Sequence, residues 1–172
     1  MTVWIVLAMH GVPPNDLPGQ EVAELMRLHL QVEQMPADAP ARAETEARFR
    51  ALDERIRAWP RSEANDPYHA ASIRMAEALG RACGSPVVVG FNEFCAPDIG
   101  QALDQAAAGG ARRVVVVTPM MTPGGEHAEV ELPKKVAAAH QRHPGVAFVY
   151  AWPYEPETVA QFLAQQAMRF AG

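Results

Sequence analysis

The chain has 172 residues, of which 49% are hydrophobic and 20% charged, and its net charge is −5. That length suits one domain with a real core, and the acidic balance excludes a general nucleic-acid binder, which carries a basic face. No apolar run approaches the roughly 18 residues of a membrane span. The apolar start, Val3 to Leu7, lacks the basic lead-in and cleavage site of a signal peptide. The two cysteines, Cys83 and Cys95, have no C-x-x-C spacing, so neither a disulfide framework nor a thiolate zinc site is expected, and the location expected is cytoplasmic.

In chain order, the first element is a strand over Val3–Met9. A long connection follows, and its patterns predict three helices, at 21–34, 41–59 and 67–83. The last opens on Asp66-Pro67, a cap followed by a first-turn proline, and stops at Gly84. The second lies between the proline-rich stretch 36–40 and Pro60, so residues 36–65 are expected to be a helical insertion on a simpler fold. Its basic residues, Arg42 to Arg61, are interleaved with acids and read as a solvated face. Its apolar positions Phe49, Leu52, Ile56 and Trp59 must bury against something: the chain's own domain, a two-fold partner or a lid.

Strands at 86–91 and 113–118 contain Val87-Val88-Val89 and Val115-Val116-Val117, which do not alternate with polar residues, as in strands covered on both faces. Between them a helix over 98–108 ends at Gly109-Gly110. Pro133 marks the start of another helix. A fourth strand falls at 146–152, and a last helix at 155–170 carries a stripe of Val159, Phe162, Leu163 and Phe170. Alternating strands and helices define an α/β fold, a doubly wound, flavodoxin-like parallel sheet of about four strands in the order 2-1-3-4.

Ligands of such sheets bind at the carboxyl ends of strands, near the reversal of strand order. There the sequence places His10 followed by Gly11, and the turn from Met120 to His127 with Gly124 and Gly125. Glu93 follows strand 2. Two imidazoles and a carboxylate suit a borderline divalent ion such as cobalt, nickel, iron or zinc. Glu93 is equally placed to cap the next helix. Cys95 reads as a buried apolar side chain. His29, His69, His140 and His143 read as structural. With Pro133 starting a helix, His127 falls in the segment before it and need not share a helical face with Glu131.

The stretches Val6-Leu7-Ala8-Met9-His10-Gly11, Gly90-Phe91-Asn92-Glu93, 110–119 and Gly124-Gly125-Glu126-His127-Ala128-Glu129-Val130-Glu131-Leu132-Pro133 resemble the small sirohydrochlorin chelatases, the CbiX/SirB-like class II tetrapyrrole chelatases. The resemblance implies a half-chelatase domain that inserts cobalt, nickel or iron into sirohydrochlorin or a related tetrapyrrole. It puts metal binding and proton acceptance on His10 and His127 and an acidic catalytic role on Glu93. Substrate contact falls on Thr122, Pro123, Gly124, Gly125 and Glu126, with Met120, Met121 and Met9 as an apolar wall for the macrocycle. The ion would be a substrate, not a permanent cofactor, and the chain would work as a homodimer. Departures are Glu131 where the family has Asp and Val12-Pro13-Pro14 after the first histidine. A non-catalytic metal or tetrapyrrole binder needs the same ligands, and a metal-dependent hydrolase is a third reading. An FMN binder is rejected, because the turn after strand 1 offers no hydroxyl.

Overall fold

A computed structural model describes residues 2–171. Four strands, β1 (Val3–Met9), β2 (Val87–Phe91), β3 (Arg113–Val117) and β4 (Ala147–Tyr150), form one sheet in the order β2-β1-β3-β4. All three pairings are parallel. This is the doubly wound order expected from the sequence, with β1 and β3 adjacent.

The helices are α1 (Gly19–Gln34), α2 (Arg42–Arg57), α3 (Pro67–Cys83), α4 (Ile99–Ala108), α5 (Leu132–Arg142) and α6 (Pro156–Met168). Local chemistry sets several boundaries. Asp66 accepts from the His69 N–H ahead of Pro67, and Gly84 closes α3 in the left-handed region at φ 64°. Asp98 and Gln101 form a reciprocal capping box at the start of α4.

Alternation along β1 divides the core. Val6 and Ala8 face one side, with Val114, Val116, α4 (Ile99, Ala102, Leu103, Ala106) and α5 (Leu132, Ala139). Leu7 and Met9 face the other, with Val89, Phe91, Leu25 of α1, Ile56 of α2 and Ala76 of α3. The apolar stripe of α2 therefore buries against its own domain: Phe49, Leu52 and Trp59 pack around the fully buried Ile56. Losing the Ile56 side chain would cost about 2–5 kcal/mol.

Two expectations change, and one apolar stripe lies open. Met9 is buried in the second cluster, so it cannot offer a wall to a ligand. The stripe at the end of the chain lies largely open: Val159 is half-buried, Phe162, Leu163 and Phe170 are more than half exposed, and among the described residues no element packs on α6. The charged face of α2 is not uniformly solvated either, because its last turn points inward at Arg57.

Candidate metal centre

His10, Glu93 and His127 converge beyond the carboxyl ends of β1, β2 and β3, their ligand atoms within 4.8 Å of one another. The ends of β1 and β2 are held in register past the strands themselves, since Asn92 N–H donates to the Met9 carbonyl and Glu93 N–H to the His10 carbonyl, both at 2.8 Å. Gly11 makes this approach possible. It sits at φ +92°, and a Cβ there would lie 1.9 Å from the Glu93 carbonyl oxygen. Glu93 is not a helix cap; Asp98 fills that role.

The histidine tautomers follow from what their Nδ1 atoms touch. His10 Nδ1 lies 2.6 Å from the Gly11 carbonyl oxygen, which can only accept. Nδ1 therefore carries the proton and Nε2 presents a lone pair, 3.8 Å from Glu93 Oε2. His127 Nδ1 lies 3.0 Å from Glu131 Oε2. Burial pushes the Glu131 carboxyl up, but the Asn92 amide, His127 and Lys135 outweigh it and hold the group below its ordinary value. An anionic Glu131 accepts the Nδ1 proton and leaves His127 Nε2 free as well. Asn92 Nδ2, at 2.7 Å, competes for the same Nδ1, yet the charged carboxylate is the stronger acceptor and also takes the Asn92 amide as donor. The rings meet edge to face at 4.9 Å between centroids.

His127 and Glu131 share a face after all, against expectation. Residues His127–Glu131 form a single π-helical turn running straight into α5, so their spacing of four becomes a contact. Sequence reasoning also missed Asn92 and Lys135. Asn92 is buried beneath the centre, and its side-chain oxygen accepts from Lys135 Nζ. Burial lowers the Lys135 pKa, with Glu131 acting in the opposite sense. A strand-end asparagine reads as a turn residue, and only the fold shows that it bridges His127, Glu131 and Lys135.

Of the remaining site residues, Thr122, Pro123, Gly124, Gly125 and Glu126 form an exposed loop leading into His127, with Met120 and Met121 half-buried at its base. Met120 packs against the first core cluster. Cys95 is buried, and its thiol is pushed up by that burial. His69 stacks on Phe91 at 5.1 Å and is lowered by burial. His143 pairs with Asp104, tying the end of α5 to α4. His29 lines a cavity of about 250 Å³ between the α1–α2 hairpin and the centre, shared with Asp53, Glu93, Glu131 and Lys135.

A borderline divalent ion held tetrahedrally at about 2.1 Å separates its donor atoms by about 3.4 Å, so small side-chain rotations close the His10–Glu93 gap. Three protein ligands leave a coordination position open, as in sites where an ion meets a reacting partner. The molecule is thus a parallel α/β domain with a two-histidine, one-carboxylate centre at the reversal of strand order.

The CbiX family model matches residues 63–169, well over half the chain, and the chain belongs to this family of CbiX/SirB-like class II tetrapyrrole chelatases. A sirohydrochlorin cobaltochelatase from Priestia megaterium is 38% identical over 63 residues, which are 37% of this chain and 20% of that protein. A CbiX protein assigned to cobalamin (vitamin B12) biosynthesis, from Marinobacter aquaeolei VT8, is similar over 100% of both chains with a TM-score of 0.50 at 14% identity, a likeness of fold. The sirohydrochlorin chelatase SirB from Bacillus subtilis subspecies spizizenii, solved with cobalt, has a TM-score of 0.45 at 18% identity over 89% of this chain and 44% of that one. The chain therefore spans a fifth of the cobaltochelatase and under half of SirB. Among the described residues no helix is long and apolar enough to cross a membrane.

Proposed function

We propose that the protein inserts a divalent metal ion (cobalt, nickel or iron) into sirohydrochlorin or a related tetrapyrrole. The observation that carries the reading is the convergence of His10, Glu93 and His127, their ligand atoms within 4.8 Å of one another. Insertion needs an ion stripped of water and two pyrrole N–H protons removed. A neutral imidazole with its Nε2 bare can do either, because its pKa lies near physiological pH. Glu93, a third exposed, holds the ion with the histidines or takes a proton from the macrocycle. The Thr122–Glu126 loop and Met120 and Met121 would line the macrocycle's approach, the methionines adapting to its face. Residues 1–172 act as one chelatase domain on this reading, with 36–65 an elaboration of it.

A homodimer is part of the proposal. On the face of β3 and β4 opposite α4 and α5, no helix lies over Val115 and Val149 among the described residues. The same chain carries the uncovered apolar stripe of α6, so a second copy supplies what each face lacks. Sedimentation should give a dimer that Phe162→Ser with Leu163→Ser dissociates; a wild-type monomer at tens of micromolar protein removes the dimer.

The chemistry is tested with purified protein, sirohydrochlorin and each of the three metals, following the macrocycle's absorbance. Several products per chain, faster than spontaneous insertion, are expected. At most one equivalent converted would leave a non-catalytic binder of metal or tetrapyrrole.

A further inference from the structure

Two arginines tie the α1–α2 hairpin to the loops that carry the metal ligands. At the end of α2, Arg57 donates from Nη1 to the Cys95 carbonyl at 2.8 Å and from Nη2 to the Asn92 backbone carbonyl at 3.0 Å. Its Nε is anchored on Asp53 at 2.7 Å. Four residues on, Arg61 donates to the Val12 carbonyl at 3.0 Å, the Phe94 carbonyl at 2.5 Å and the Ile56 carbonyl at 3.1 Å, paired with the fully buried Asp66 carboxylate. Carbonyls on both sides of Glu93 are thus taken by guanidinium groups, as is one two residues after His10. The Glu93 loop needs such support, because Phe94 sits at φ 58°, a conformation costly for an aromatic residue. The guanidinium of Arg57 reaches two carbonyls and a carboxylate from three separate nitrogens, whereas the three donors of an ammonium diverge from one.

We infer that Arg57 and Arg61 are positioning residues of the metal centre, and that they set the place of Glu93 relative to His10 and His127. Arg57 is the last residue of α2 and Arg61 follows in the segment leading to α3, so the support comes from the end of the α1–α2 hairpin and the segment after it. The inference rests on the proposed role of the His10, Glu93 and His127 cluster, and its test separates the two.

The probe is cobalt(II) alone, read by its visible absorption when ligated, with far-UV circular dichroism on the same samples. Arg57→Met should bind cobalt about tenfold more weakly with the dichroism unchanged, as for other supports of metal ligands. In a Glu93→Gln background the same substitution should cost less than about twofold, since its effect runs through Glu93. Arg57→Lys, which keeps one carbonyl contact, should fall between. If Arg57→Met does not fold, Asp53→Asn, which frees the guanidinium from its anchor, should weaken cobalt binding when Glu93 is present and not in the Glu93→Gln background. Wild-type affinity in the folded Arg57 variants, or an equal loss in both backgrounds, overturns the positioning role while the function stands. A wild-type protein with no His10-dependent cobalt spectrum overturns both.

Discussion

Gly11→Ala is the smallest change that should disable the centre. The added methyl would meet the Glu93 carbonyl oxygen at 1.9 Å, and contacts with real Cβ atoms begin near 3.0 Å, so the ends of β1 and β2 must part by about 1 Å. That stretch breaks the bond from Glu93 N–H to the His10 carbonyl, at a cost of about 1 kcal/mol. Alanine at φ +92° adds about 1–2 kcal/mol of backbone strain. The total, about 2–3 kcal/mol, should lower Tm by roughly 4–12 °C for a chain of this size. The same parting moves Glu93 away from the two histidines and should weaken cobalt(II) binding about tenfold. Thermal melts and a cobalt titration of the purified variant read both effects. A variant with wild-type Tm and wild-type affinity would show that the two strand ends are not locked together as described.

Glu131→Gln removes the anionic acceptor that fixes the His127 proton on Nδ1, letting Asn92 compete for that nitrogen; cobalt affinity should fall about tenfold, and an unchanged affinity would remove Glu131 from the support of the ligand. Cys95 is buried with its thiol pushed up, whereas Cys83 is exposed, so an aromatic disulfide reagent near pH 8 should modify one thiol in the native protein and two in denaturant. Tyr150 is pushed up to about 12 by burial and by its neighbours Tyr154 and Glu129. Its folded value lies above the ordinary one, so its contribution to stability is present below pH of about 10 and is lost as pH rises towards 12. The phenolate absorbance should then show a late step near 12 that disappears in Tyr150→Phe; a single titration near 10 would contradict it.

The strands were legible because parallel strands read as unbroken apolar runs, as at Val87–Val89 and Val114–Val117, although the face of β3 at Val115, expected to be covered, carries no helix among the described residues. Helix α3 was legible to the residue because Asp66-Pro67 and Gly84 are local signals with a physical cause. His10, Glu93 and His127 stood out because each follows a strand or its turn. What was not legible depends on contacts distant in sequence. Arg57 and Arg61 look like members of a solvated charged face until carbonyls more than thirty residues away reach them. The His127–Glu131 contact required a π-helical turn, which no helix-start signal marks. The apolar stripe of α6 was legible as a stripe, but periodicity shows that a face is apolar, not which surface covers it.

On the proposed function, His10 and His127 present the metal to a tetrapyrrole and take part in its insertion. The most direct measurement is the initial rate of cobalt insertion into excess sirohydrochlorin for wild-type, His10→Ala and His127→Ala proteins, with folding checked by circular dichroism. His10 stands just past the end of β1 and His127 at the π-helical turn ahead of α5, both partly exposed, so the variants should fold normally. The wild type should complete many turnovers, and each variant should fall to near the spontaneous rate. Near-wild-type turnover in either folded variant would contradict the claim.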